Sequence, residues 1–160
     1  MRRLLTSCAA IILVLSCSQA FAEEGGYKDP NTGKVWVRSP HSASDWISAV
    51  MFAANLGVWD LNSQGVMTYY DDWRLPTVAE LQTAIANGTI QWINQNNGDY
   101  MRTGRFSYWT STTQGKNKAY MVWVQFNSLG EVVVSQSGQS EAVLQKPGFG
   151  AYIGAFIVRP

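Results

Sequence analysis

The chain has 160 residues, with 12 lysines and arginines against 11 acids, 14% charged residues and 12% aromatic ones. That near-neutral balance excludes a general nucleic-acid binder, which carries a basic excess. The single histidine, His41, excludes a histidine-rich metal site.

The N-terminus reads as an export signal. Met1-Arg2-Arg3 supplies charge, residues 9–15 are apolar, and Ala20-Phe21-Ala22 offers a small-x-small cleavage site. The apolar run is shorter than the roughly 20 residues of a membrane-spanning helix, so no transmembrane segment is expected. Residues 1–22 are therefore assigned to a signal peptide and 23–160 to one domain. Val14-Leu15-Ser16-Cys17 also matches a loose lipoprotein box, in which Cys17 would be acylated, but the cut after Ala22 is better formed. Both cysteines, Cys8 and Cys17, fall in the leader, so the domain has no disulfide and no thiol nucleophile. All seven tryptophans lie after the leader. An exported protein, periplasmic or extracellular, is the expectation.

Within the domain, residues 23–28 read as a polar lead-in and Asp29-Pro30-Asn31-Thr32-Gly33 as a tight turn. Residues 34–38 alternate as a first strand. A first helix is predicted over residues 44–56, capped by Ser44, with Trp46, Val50, Ala53 and Ala54 on one face. A second begins at the capping box Thr77-Val78-Ala79-Glu80 and closes at Asn87-Gly88, with Val78, Leu81 and Ile85 inward. Residues 94–99 read as a polar loop. Strands are predicted over 106–112, 119–126, 131–135 and 152–159, with a hairpin turn at 127–130. Segregated helices and strands point to α+β: two helices and a small antiparallel sheet with long loops.

Four segments are informative in their order. They are Asp29-Pro30-Asn31-Thr32-Gly33-Lys34-Val35-Trp36, Asp72-Trp73-Arg74-Leu75-Pro76-Thr77-Val78-Ala79-Glu80-Leu81, Tyr108-Trp109-Thr110-Ser111-Thr112 and Phe156-Ile157-Val158-Arg159. Together they resemble the C-terminal domain of Lcl-type collagen-like adhesins. The resemblance implies a C-type-lectin-like fold, with the terminal strands side by side and a long-loop region that meets ligands. It also implies adhesion and glycosaminoglycan binding, often as a trimer. The sequence has no collagen-like repeat and lacks the Glu-Pro-Asn and Gln-Pro-Asp signatures of calcium-dependent lectins. The same fold includes formylglycine-generating enzymes, whose active cysteines have no counterpart after the leader.

Several residues merit both a functional and an ordinary reading. Trp73, Arg74, Leu75, Pro76, Thr77 and Glu80 read as structural: two apolar residues, a proline that sets the entry angle, and an arginine placed to pair with Asp71 or Asp72 or with carbonyls. Trp109 and Trp123 are either sugar-stacking platforms or core, and large rings are more often core. Asp60, Asn62, Gln64 and Asp71, with Gly65 at position six, follow much of an EF-hand calcium loop. Gln64 at position five, the short Asp71 at twelve and the absence of a following helix depart from it, and a polar turn is the ordinary reading. Tyr100, Arg102, Arg105, Lys116 and Lys118 form the candidate contact surface. As loop charges they only solvate the chain; gathered together they suit sulfate or carboxylate groups. Phe149 sits in a second glycine-rich loop, 148–151. No cofactor and no catalytic motif is expected. The reading is a non-catalytic exported module that binds a glycan, a polyanion or a protein, the alternative being a structural subunit of an envelope or adhesin assembly.

Overall fold

The computed structural model describes residues 26–37, 40–43, 45–62, 64–97, 102–114, 118–141 and 152–160. The leader with Cys17, the Ser44 cap, Tyr100, Lys116 and the 148–151 loop lie outside these residues.

The first turn forms as its residues dictate. Asp29 Oδ1 accepts from the Asn31 amide at 2.9 Å and Oδ2 from the Thr32 hydroxyl at 2.8 Å, while Gly33 takes a positive φ of 73°. The turn joins β1 (Tyr27–Lys28) to β2 (Val35–Trp36) as an antiparallel pair, so the end of the expected lead-in is a strand. The last strand, β10 (Val158–Arg159), pairs with the other edge of β2, giving the order β1-β2-β10.

Helix α1 (Trp46–Asn55) starts at Asp45, whose carboxylate accepts from the Ser48 amide at 2.8 Å. Ala49 and Ala53 are buried and Trp46 and Val50 pack beside them, whereas Ala54 is exposed. Next comes a hairpin that local patterning did not reveal, β4 (Val58–Leu61) with β5 (Met67–Tyr70). Helix α2 (Val78–Ala86) carries the predicted capping box, with the Thr77 hydroxyl accepting from the Glu80 amide and Glu80 reaching back to the Thr77 amide. Asn87 and Gly88 close it, as expected, but Gly88, at φ 80°, also opens α3 (Thr89–Gln95). There are thus three helices among the described residues, and the expected polar loop begins inside the third.

The remaining strands build a five-stranded sheet in the order β3-β9-β6-β7-β8. Its members are β3 (His41–Ser42), β6 (Gly104–Thr113), β7 (Lys118–Phe126), β8 (Val132–Glu141) and β9 (Tyr152–Ala155). The predicted turn at Asn127 joins β7 to β8, with Gly130 at φ 73°. The sheet is mixed: β9 lies parallel to β6, while the other pairs are antiparallel. The predicted strand 152–159 is two strands in two sheets, broken at Phe156 and Ile157.

Strand alternation divides the interior in two. On one side Tyr108, Val122, Val124 and Phe126 meet Leu81, Ala84, Ile90 and Ile93 of α2 and α3. On the other, Trp109, Ala119 and Met121 meet Ala49 and Ala53 of α1, with Tyr70, Trp73 and Leu75. Adjacent residues go to opposite clusters: Val35 and Trp36, Tyr108 and Trp109, Phe156 and Ile157. The architecture is α+β, a mixed sheet between helices with two smaller sheets beside it.

Candidate functional site

The tryptophan–arginine–leucine–proline segment is scaffold. Trp73, Leu75 and Pro76 are buried. Arg74 makes a two-way backbone bridge to Val158, at 2.9 and 2.8 Å, and a bidentate pair with Glu80 at 2.8 and 2.7 Å. Its acidic partner is therefore Glu80 of the capping box rather than Asp71 or Asp72, while its Nη1 also donates to the Leu75 carbonyl at 3.1 Å, the carbonyl contact that was the other expectation; Asp72 instead receives Arg159 at 3.0 Å. Lys34 adds a second cation 3.0 Å from Glu80. The Arg74 hydrogen bonds, helped by the Thr77 amide and Lys34 and opposed by burial, hold the Glu80 carboxyl well below the usual carboxylate range. Pro76 accepts from the Ser111 amide at 2.7 Å, which ties the segment to β6.

The twelve residues from Asp60 to Asp71 fold as the β4–β5 hairpin. Asp60 stands in β4 opposite Thr68, and Asp71 follows the last pair, Val58 with Tyr70. Asn62 Oδ1 accepts from the Gln64 and Val66 amides at 3.0 and 2.9 Å, so it closes the turn between the strands. Among the described residues no group of three or more histidines, cysteines or acids is placed to hold a metal ion.

Of the expected contact surface, Tyr100 and Lys116 lie outside the described residues, and the described members Arg102, Arg105 and Lys118 do not form one cluster. Arg102 lies half-buried over the Phe106 ring at 5.6 Å, with Nη2 3.5 Å from the Pro40 carbonyl. Its backbone is clamped by Asn94, which accepts from the Arg102 amide at 2.9 Å and donates to its carbonyl at 2.9 Å. Lys118 and Arg105 stand at opposite ends of the β6–β7 ladder, since Arg105 pairs with Gln125 and Lys118 opens β7. The seven residue steps from Lys118 to Gln125 span about 23 Å.

Arg105 has a different set of neighbours. The register places Arg105, Gln125 and Val134 in one cross-strand row and Ser107, Trp123 and Gln136 in the next. This is the sheet face that α1 covers further along at Trp109 and Met121. Arg105, Gln125, Val134 and Gln136 are exposed and Trp123 is half-buried. They line a shallow groove of about 180 Å³. The Arg105 guanidinium carbon stands 5.7 Å from the Trp123 ring centroid, within cation–π range. That contact uses the ring face and leaves the guanidinium N–H donors for other partners.

The two candidate tryptophans therefore separate. Trp109 is 3% exposed and belongs to the core, whereas Trp123 belongs to the groove. Gln125, Val134 and Gln136 were not singled out from sequence. The alternation of Trp123 and Gln125 along β7 was the available signal, but the expected strand 131–135 ended before Gln136.

Among the described residues no helix is long and apolar enough to cross a membrane. Compared with known families, residues 25–145 match the model of the Lcl C-terminal domain. The chain belongs to the Lcl C-terminal domain family. The match takes in three of the four segments of the resemblance and ends before β9 and β10. Comparisons of this Lcl C-terminal domain with curated proteins and with solved structures returned no match.

Proposed function

We propose that this Lcl C-terminal domain is an exported, non-catalytic binding module of C-type-lectin-like fold, which recognises an anionic glycan through the Arg105–Trp123 groove. The observation that carries the reading is the pairing of a half-buried indole with a guanidinium on an open sheet face, flanked by the Gln125 and Gln136 amides. A pyranose presents an apolar face to an aromatic ring, amides suit hydroxyls, and a guanidinium suits a carboxylate or sulfate. The volume is below the roughly 300–1,000 Å³ of drug-sized pockets, which fits one sugar ring. The fold reading is supported by the pairing of β2 with β10, which brings the two ends of the domain together. Non-catalytic action is consistent with Glu80, the most strongly shifted carboxyl, being committed to Arg74 and the capping box.

A glycan-array and heparin screen of residues 23–160, run with calcium and with chelator, tests this. Binding to carboxylated or sulfated glycans in both conditions, lost on Trp123→Ala and weakened by salt and by Arg105→Gln, is the expected result. Binding that survives Trp123→Ala places the glycan elsewhere, and loss with chelator makes calcium part of the site.

A further inference from the structure

Charge is scarce in the Arg105–Trp123 groove. Among the described residues Arg105 is the one charged side chain that lines it, beside Trp123, Val124, Gln125, Val134 and Gln136. The other described cations stand elsewhere. Lys34 and Arg74 converge on Glu80, and Arg159 meets Asp72. Arg102 lies over Phe106, whose ring packs with the α2–α3 cluster on the opposite side of the sheet. Lys118 opens β7 at its far end, and Lys28 belongs to the β1-β2-β10 sheet.

The groove also holds its guanidinium to one side. The Arg159 guanidinium carbon is 3.9 Å from the Tyr70 centroid, a full stack, whereas that of Arg105 is 5.7 Å from the Trp123 centroid. Planar groups in face contact are about 3.5–4 Å apart, so Arg105 borders the indole and leaves part of its face open. No carboxylate pairs with Arg105 among the described residues. Toward Trp109 and Met121 the same sheet face closes under α1. A sugar ring on Trp123 therefore meets one guanidinium at its rim, with the neutral Gln125 and Gln136 side chains beside it.

That arrangement counts anions. An amide both donates and accepts, so it suits free hydroxyls. A guanidinium fork takes one planar carboxylate in a two-point contact. A second or third anion on the same ring would give up water beside uncharged amides, with no cation to replace it, which is unfavourable. A uronic acid has one carboxylate and otherwise free hydroxyls, whereas a multiply sulfated sugar has its hydroxyls replaced by anions. We infer that the groove selects a uronic acid residue over sulfated sugars, an inference that rests on the glycan reading of that groove.

The test follows the Trp123 indole N–H resonance of the full chain during titration with trigalacturonic acid, with its methyl ester and with sulfated maltotriose. The acid should move the resonance to saturation. The ester should bind at least about tenfold more weakly, and sulfated maltotriose no tighter than the ester. Arg105→Gln should lower the affinity for the acid to that for the ester, with the ester's affinity and the thermal unfolding midpoint unchanged. An arginine that only shaped the groove would weaken both ligands alike. Tighter binding of sulfated maltotriose than of the acid, or equal binding of acid and ester, overturns the uronate inference and leaves the glycan groove standing. A Trp123 resonance that none of the three moves overturns the groove reading itself, and the uronate inference with it.

Discussion

Glu80 gathers polar contacts from two cations and from its own helix start. It accepts from Arg74, Lys34 and the Thr77 amide, and its carboxyl titrates far below the ordinary range. A depressed folded pKa contributes stability that is complete above the unfolded carboxylate value, about 4.3, and is lost as pH falls through the folded value. The urea midpoint should therefore drop steadily below about pH 4, and Glu80→Gln should flatten that acid limb. Since Arg74 is 42% exposed, solvent screens the pair, and the cost of Glu80→Gln at pH 7 should be about 1–2 kcal/mol. Asn94 is the neutral counterpart. It is buried and bonds Arg102 on both backbone groups and the Gly130 carbonyl at 3.1 Å. Asn94→Ala leaves these groups unpaired, so denaturant unfolding should show a loss of about 2–3 kcal/mol.

At the scale of elements, the second helix was legible because its start is local. Thr77 and Glu80 are three residues apart, and both bonds of the box form within one turn. The β4–β5 hairpin was not legible. Its apolar residues alternate toward solvent, so the pattern inverts the usual rule that apolar means inward. Its spaced oxygen side chains resembled a cation loop, although Asn62 serves the turn. The third helix was hidden behind Gly88, which ends one helix and begins the next. Gly57 gives this scale its test. Gly57→Ala must displace the Tyr69 ring end, so the Trp59–Tyr69 ring contact should vanish from nuclear Overhauser spectra, while stability should fall by less than about 1 kcal/mol because Tyr69 is half exposed and can swing outward.

For the whole molecule, the consequence of a sheet with helices on both faces is that neighbouring residues acquire opposite fates. Trp109 and Trp123 sit on strands of similar character, yet one lies under α1 and the other lies past its reach. Trp109→Ala should cost about 3–5 kcal/mol in denaturant unfolding, as for other buried tryptophans. Trp123→Ala should cost less than about 1 kcal/mol while abolishing glycan binding. Similar losses from both substitutions would mean that the groove is part of the core.

The sequence by itself determined the family, through the ordered segments from Asp29 to Thr112, and the α+β class, through segregated periodicities. It determined the first turn and the capping box as well, because each is held by contacts within a few residues. Only the tertiary structure decided which charges come together. Arg102 is drawn onto Phe106, Lys118 is carried to the far end of β7, and Arg105 meets Trp123 because the β6–β7 register sets them in adjacent rows. Register and sheet order depend on contacts between residues distant in the chain, and a local pattern of charge carries no record of them.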